Sequence, residues 1–243
     1  MSNSVSSVVR FRVKERKWET KDIFTLVLEP EQNGEMIGFK AGQWVYLHLL
    51  NLDGSTWARA PFSIATAPEE AAGGLELGIK IKGEFTNKAS QLGPDDVVGL
   101  QGPFGVFIVP ENAKRLVMFA GGIGITPLRS MIRSLYLRRA AVPVTLFYSV
   151  KAAEDGAYFE ELAKMAKEWP DLHPVFTLTD DVPRTWAHEQ GRITAEMIKK
   201  YCPDLVQADF MLCGPSGFMA GIEQLLAGLG VDVKQKLKHE KFG

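Results

Sequence analysis

Three segments of this sequence carry residue types and spacings that suit ligand chemistry. Gly121-Gly122-Ile123-Gly124-Ile125-Thr126-Pro127 follows the apolar run Leu116–Ala120 and precedes a helical pattern. Glycines let a backbone turn sharply and come close to a ligand. A helix start offers unpaired N–H groups and the positive end of the helix dipole to a phosphate. Pro127 suits the first helical position. A tight, glycine-packed strand–helix turn accounts for the same residues, and both readings stay open. The segment departs from the G-x-G-x-x-G pattern, because Pro127 stands where the third glycine belongs. No acid follows about 20 residues on, where Tyr148 and Ser149 fall instead.

The second segment is Leu212-Cys213-Gly214-Pro215-Ser216-Gly217-Phe218-Met219, again at a strand end opening a helix. Ligands of open parallel sheets bind outside the carboxyl ends of strands, so two glycine-bearing strand ends can face one site. Cys213 by itself reads as a small buried hydrophobe, and no histidine stands beside it to activate a thiol. The third segment is Arg59-Ala60-Pro61-Phe62-Ser63-Ile64-Ala65-Thr66. An aromatic beside a hydroxyl can cover a planar ring and bond its edge. Periodicity alone instead makes Phe62 and Ile64 core residues of a strand. His48, His173, His188 and His239 lack metal-ligand spacing, so no metal site is expected. Cys202 and Cys213 are the only two cysteines, too few for a disulfide framework or a four-cysteine zinc or iron–sulfur site.

The elements that must position these segments fall into two kinds. Alternation in Val9–Val13, Val45–Leu49 and Leu75–Ile81, with the β-rich run Ile23–Leu28, marks short strands separated by turn clusters. That pattern predicts a small antiparallel barrel. From about Pro110–Lys114 the character changes. Apolar strands at 116–120, 144–148, 174–178 and 209–212 alternate with helical patterns beginning near 127, 158, 194 and 216. Such alternation predicts βαβ units and a mostly parallel sheet. The expected fold is therefore two domains, an N-terminal antiparallel β-barrel over 1–112 and a C-terminal α/β domain with a parallel sheet over 113–243.

Composition bounds the function. The 243 residues are 46% apolar and 23% charged, which excludes a wholly disordered chain. Lys and Arg number 28 against 29 Asp and Glu, a net charge of -1 that gives no general pull toward nucleic acid or an anionic membrane. No run of about 20 apolar residues is present to span a membrane, and the N-terminus lacks a secretory apolar region. The expected location is cytoplasmic, in a reducing compartment.

Taken in order, RAPFSIAT, Gly102–Phe107 (GPFGVF), GGIGITP and LCGPSGFM resemble the ferredoxin–NADP reductase superfamily. The resemblance runs from Phe39-Lys40-Ala41-Gly42-Gln43 to Glu240-Lys241-Phe242, nearly the whole chain. It implies a flavin-binding barrel followed by a nicotinamide-binding domain, with FAD as cofactor and NADH or NADPH as donor. By match to the family's Arg-x-Tyr-Ser motif, Phe62 would lie on the isoalloxazine and Ser63 would bond near its N5. Pro61 lies within that motif. Ala60 occupies the arginine position and Arg59 comes one residue early. Gly83 and Thr86 match the family's second phosphate-contacting loop. Gly122, Gly124 and Thr126 would hold the nicotinamide dinucleotide. Cys213, Gly214 and Pro215 would sit by its ring, while Phe242 would shield the flavin's other face with Glu240 nearby.

The implied activity is hydride transfer from nicotinamide to flavin, with no protein acid–base pair or metal required. Electrons would pass on to a protein or small acceptor such as a ferredoxin, an oxygenase or a haem protein. Thr179-Asp180-Asp181 stands where NADPH users in the family commonly carry Ser and Arg, which favours NADH; Lys151 is the counter-observation. Lys234, Lys236, Lys238 and Lys241 read as a protected edge strand or as a docking face. Two alternatives stand beside the reductase. One is an electron-transfer subunit of a larger complex, like that of dihydroorotate dehydrogenase but without its cysteine cluster. The other is a non-catalytic flavin-binding module.

Overall fold

A computed structural model of the chain describes residues 7–31 and 36–241. It divides into two compact units. The first comprises residues up to Ile108 together with Arg129–Ser134; the second comprises Val109–Leu128 and Leu135 onward.

The first unit is a six-stranded antiparallel sheet of β1 (Val9–Trp18), β2 (Ile23–Pro30), β3 (Trp44–Leu50), β4 (Thr56–Ser63), β5 (Leu75–Lys80) and β6 (Val97–Phe104). The strand order is β4-β3-β6-β1-β2-β5. An antiparallel bridge between Ile64 and Leu77 ties one end strand to the other, so the sheet closes on itself. Closure removes the exposed edges that an open sheet would leave. Inside lie Phe11, Phe24, Leu26, Leu28, Val45, Leu47, Ile64, Leu75, Leu77, Val98 and Leu100, all fully buried. The alternating positions of β3 and β5 thus face the core as their period of two requires. The short helix α1 (Glu84–Ala89) follows β5 and lies against β4.

The second unit holds β7 (Leu116–Gly121), α2 (Ile125–Leu137), β8 (Val144–Ala152), α3 (Phe159–Glu168), β9 (Leu172–Asp181), β10 (Glu189–Gln190), α4 (Ala195–Tyr201), β11 (Asp209–Gly214), α5 (Ser216–Gly228), α6 (Val233–Lys236) and β12 (Leu237–Lys241). Its sheet has the order β10-β9-β8-β7-β11-β12 and every pairing is parallel. β7 is buried along its whole length, as a central parallel strand covered on both faces must be. Phe119 and Phe147 stack across β7 and β8 at 5.1 Å. Thr194 caps α4, its hydroxyl accepting from Met197 N–H.

Three local readings shift. Helix α2 begins at Ile125, not at Pro127, after a 3-10 turn over Gly122–Gly124. Pro127 is still tolerated, because N–H groups in a first helical turn have no intrahelical partner to lose. The strands at 144–148 and 174–178 run on to Ala152 and Asp181. Their polar ends, Lys151 and Asp180-Asp181, are exposed, so they carry no apolar signal. The lysine-rich C-terminal stretch does form an edge strand, β12, beside β11.

Candidate functional site

In the second unit the chain runs outward from β7 through β8 and β9 to β10, then returns to place β11 and β12 on the other side of β7. The strand order therefore switches direction between β7 and β11. Cys213 pairs in register with Ala120, so the two glycine segments leave the sheet side by side. Open parallel sheets bind ligands at such a switch, outside the carboxyl ends of the strands. The parallel register puts Gly121, Ala152, Asp181, Gly214 and Lys241, the ends of the five longer strands, on this one edge of the sheet.

The glycines of these turns have different duties. A Cβ on Gly124 would stand 2.2 Å from the carbonyl oxygen of Cys213. Gly124 is thus needed for close approach of backbone to backbone between the two turns. Gly121 and Gly214 are filled over by the ring of Phe218, which a Cβ on either would meet at 2.8 Å. Gly122 differs: its φ is +53° and no atom lies within 4 Å of where a Cβ would be. Packing therefore explains Gly121, Gly124 and Gly214, while the side of Gly122 that a Cβ would occupy is open. Thr126 is buried, with its hydroxyl donating to Ile123 O at 2.8 Å, so it closes the turn.

Behind the turns, Cys213 is fully buried. Burial, with the charge of Glu240 added, pushes its thiol far above the ordinary range. Cys213 and Glu240 are 27 positions apart in sequence, and the β11–β12 register sets them opposite one another. Pro215, exposed, is the N-cap residue of α5, and the free first turns of α2 and α5 both open on this edge. Phe242 lies outside the described residues.

In the first unit, β4 separates the residues of the third segment by face. Val45 pairs with Phe62 and Leu47 with Ala60, so Phe62 and Ala60 share the core-facing side. His48 pairs with Arg59 and Tyr46 with Pro61 on the opposite side. Arg59 accordingly lies over the Tyr46 ring at 4.4 Å and donates to Gln101 Oε1 at 2.9 Å. A one-residue offset in a strand reverses its face, so Arg59 and position 60 lie on opposite sides of β4. Next to it, burial and the Arg59 charge hold His48 below its ordinary pKa, against a bond to Gln101 that favours the protonated ring. Ser63 ends β4 and is buried.

Phe62 is half-buried and stacks on Phe85 at 5.9 Å, and Phe85 stacks on Trp57 at 6.4 Å. The β-bulge at Leu49/Leu50 brings Trp57 into this row. Phe85 and Trp57 carry no motif of their own, so sequence reading gave them no role. The one available signal was the placement of Phe85 inside the Gly83–Thr86 loop. Thr86 accepts from Lys82 N–H at 2.8 Å and Gly83 N–H at 3.0 Å and donates to Gly83 O, which closes that loop. Gly83 is extended and exposed, with nothing within 4 Å of a Cβ position.

The partly open, near-parallel rings of Phe62, Phe85 and Trp57 suit a planar heterocycle such as a flavin in the first unit, and the turn at Gly83 is exposed beside them. A dinucleotide fits the second: an open Gly122 between two helix starts. Among the described residues no group of His, Cys, Asp or Glu is gathered to hold a metal ion. No helix among them is long and apolar enough to cross a membrane.

A closed antiparallel barrel followed by a parallel sheet with glycine turns at its switch point defines a flavin- and nicotinamide-binding oxidoreductase. Comparison with known proteins agrees. Residues 10–108 match the oxidoreductase FAD-binding domain and residues 118–224 the oxidoreductase NAD-binding domain. The chain thus joins an oxidoreductase FAD-binding domain to an oxidoreductase NAD-binding domain, and it resembles the ferredoxin–NADP reductase superfamily in that pairing. It is 26% identical over 242 residues to a flavohemoprotein of Deinococcus radiodurans, covering 96% of this chain and 59% of that protein. It is 29% identical over 235 residues to the glycine betaine monooxygenase reductase subunit of Chromohalobacter salexigens, covering 93% and 61%. The chain thus spans about three fifths of the length of these relatives. Its fold is that of a ferredoxin NADP+ reductase from Neisseria gonorrhoeae solved with FAD and NADP, with a TM-score of 0.80, 21% identity, and coverage of 97% and 99%.

Proposed function

We propose that this chain is a flavoprotein reductase that takes reducing equivalents from NADH and delivers them to a protein or small-molecule acceptor. The observation that carries the reading is the pair of glycine turns at the β7/β11 switch point of the second unit. FAD, when bound, supplies the chemistry by accepting hydride from the reduced nicotinamide and releasing electrons singly or in pairs. The protein's residues bind and orient. Phe62, with Phe85 behind it, presents a ring face, and Ser63 presents a hydroxyl at its edge. The exposed turn at Gly83, with no side chain in the way, lets a phosphate come close to the Gly83–Thr86 loop. Gly122 and the first turns of α2 and α5 take the dinucleotide's pyrophosphate, and Gly214 and Pro215 flank the nicotinamide. Cys213 and Glu240 form the wall behind that position. We assign the flavin domain to 1–112 and the dinucleotide domain to 113–243.

Asp180 and Asp181 support NADH over NADPH. Both are exposed at the carboxyl end of β9, where two carboxylates repel a 2′-phosphate. Lys151, exposed near the end of the neighbouring β8, is an opposing charge. The test is an anaerobic titration of the purified protein, followed by its visible spectrum, with NADH and NADPH separately. Bleaching of a flavin band more readily by NADH is the expected result. Preference for NADPH would overturn the role of Asp180 and Asp181. A protein that takes up no flavin on reconstitution would overturn the reductase reading.

A second reading is supported by the relatives' length and by the subunit among them: the chain works as the reductase part of a larger assembly. An oxygenase or haem protein would then be the acceptor. A flavin that NADH reduces but that passes electrons only when a co-purifying partner is present would favour it.

A further inference from the structure

The six arginines of the first unit are all engaged within it. Arg10 pairs with Glu31, Arg12 with Glu29, Arg129 with Glu76 and Arg133 with Glu70. Arg16 donates to the carbonyls of Ser90 and Leu92, and Arg59 is held by Gln101 and Tyr46. A nucleotide pyrophosphate bound to this unit therefore meets no spare guanidinium among them. Lys88 is different. It lies in the last turn of α1, is exposed, and has no carboxylate partner among the described residues. Its ammonium group is nonetheless placed, standing 4.1 Å from the centre of the Trp57 ring. Trp57 is the outer member of the row that runs through Phe85 to Phe62. A flavin dinucleotide is likewise a planar ring joined through a flexible chain to a doubly charged phosphate pair.

We propose that Lys88, at the outer end of the Trp57–Phe85–Phe62 row, is the cation that meets the pyrophosphate of the bound flavin dinucleotide. This rests on the flavin reading of the first unit. An ammonium over an indole gains modest cation–π energy at an exposed site and keeps its remaining donors for an anion. Lys82, beside Gly83, and Lys40 are competing cations; neither side chain has a ring or carboxylate to place it among the described residues.

The test is equilibrium binding of FAD, FMN and riboflavin to the flavin-stripped protein, followed by quenching of flavin fluorescence. Lys88→Ala should weaken FAD and FMN about tenfold and leave riboflavin unchanged, the size expected of one charge-assisted contact. Lys88→Arg should restore most of the loss. In the wild type, raising the salt concentration should weaken FAD binding and spare riboflavin. Three results would overturn the proposal: equal weakening of riboflavin, which would mean Lys88 acts through the aromatic row; no change in any ligand; or a loss of FAD on Lys82→Ala or Arg59→Ala in place of Lys88→Ala. If wild-type protein binds no flavin in any form, the flavin reading itself fails and takes this proposal with it.

Discussion

Gly124 offers the sharpest test of the dinucleotide turn. A Cβ there would lie 2.2 Å from Cys213 O, 2.5 Å from Cys213 C and 2.8 Å from Gly214 N. Ordinary contact begins at 3.4 Å, so the two turns would have to part by about 1 Å. All three obstructing atoms are backbone at the end of β11, which is held in register on both sides by β7 and β12. No flexible side chain can give way. Overpacking of this kind costs about 1–3 kcal/mol, and a backbone obstruction lies at the upper end. Gly124→Ala should therefore destabilise the protein by about 3 kcal/mol. Gly122→Ala meets no atom and carries only the penalty of a left-handed φ, about 1 kcal/mol. Urea unfolding followed by circular dichroism would measure both, with the midpoint shift read at constant slope. The reasoning is refuted if Gly124→Ala falls within about 0.5 kcal/mol of wild type, or if Gly122→Ala is the more damaging of the two.

Other outcomes follow from the same geometry. Asp181→Ser, and more so the double change with Asp180→Ser, should raise kcat/KM for NADPH about tenfold with little effect on NADH, since each removes one exposed negative charge facing the phosphate. Both cysteines are buried, and burial raises both thiol pKa values, so neither should react with a disulfide reagent at pH 8 until denaturant is added. Rapid labelling of the native protein would contradict that. Burial pushes the Glu70 carboxyl up, but bonds from Arg133 and Ala67 N–H outweigh it and hold the pKa below its usual value. A carboxylate with a lowered folded pKa contributes stability above its unfolded pKa and loses it as pH falls through the folded one. Tm should therefore fall with acidification below about pH 4.5 less steeply in Glu70→Gln than in wild type, and parallel curves would remove Glu70 from the account.

Much of this molecule is legible in its sequence. Alternation in β3 and β5 and the continuous apolar run of β7 follow from burial on one face or on two, which leaves a local periodic trace. The four motifs in order were enough to name the superfamily. Strand ends such as Lys151 and Asp181 were missed because an exposed terminus carries no such trace. What stayed open was what each glycine of the turns does. That depends on Cys213, some 90 positions away, and only the parallel register of β7 with β11 brings its carbonyl against Gly124. Position 59 was equally undecidable, because the face of a strand residue depends on register, and a single step in register reverses it. Sequence by itself therefore determined which elements form and which chemistry they can serve. The tertiary structure decided which side chains remain free for that chemistry, since pairing partners such as Gln101 for Arg59 and Trp57 for Lys88 are set by contacts that local periodicity does not encode.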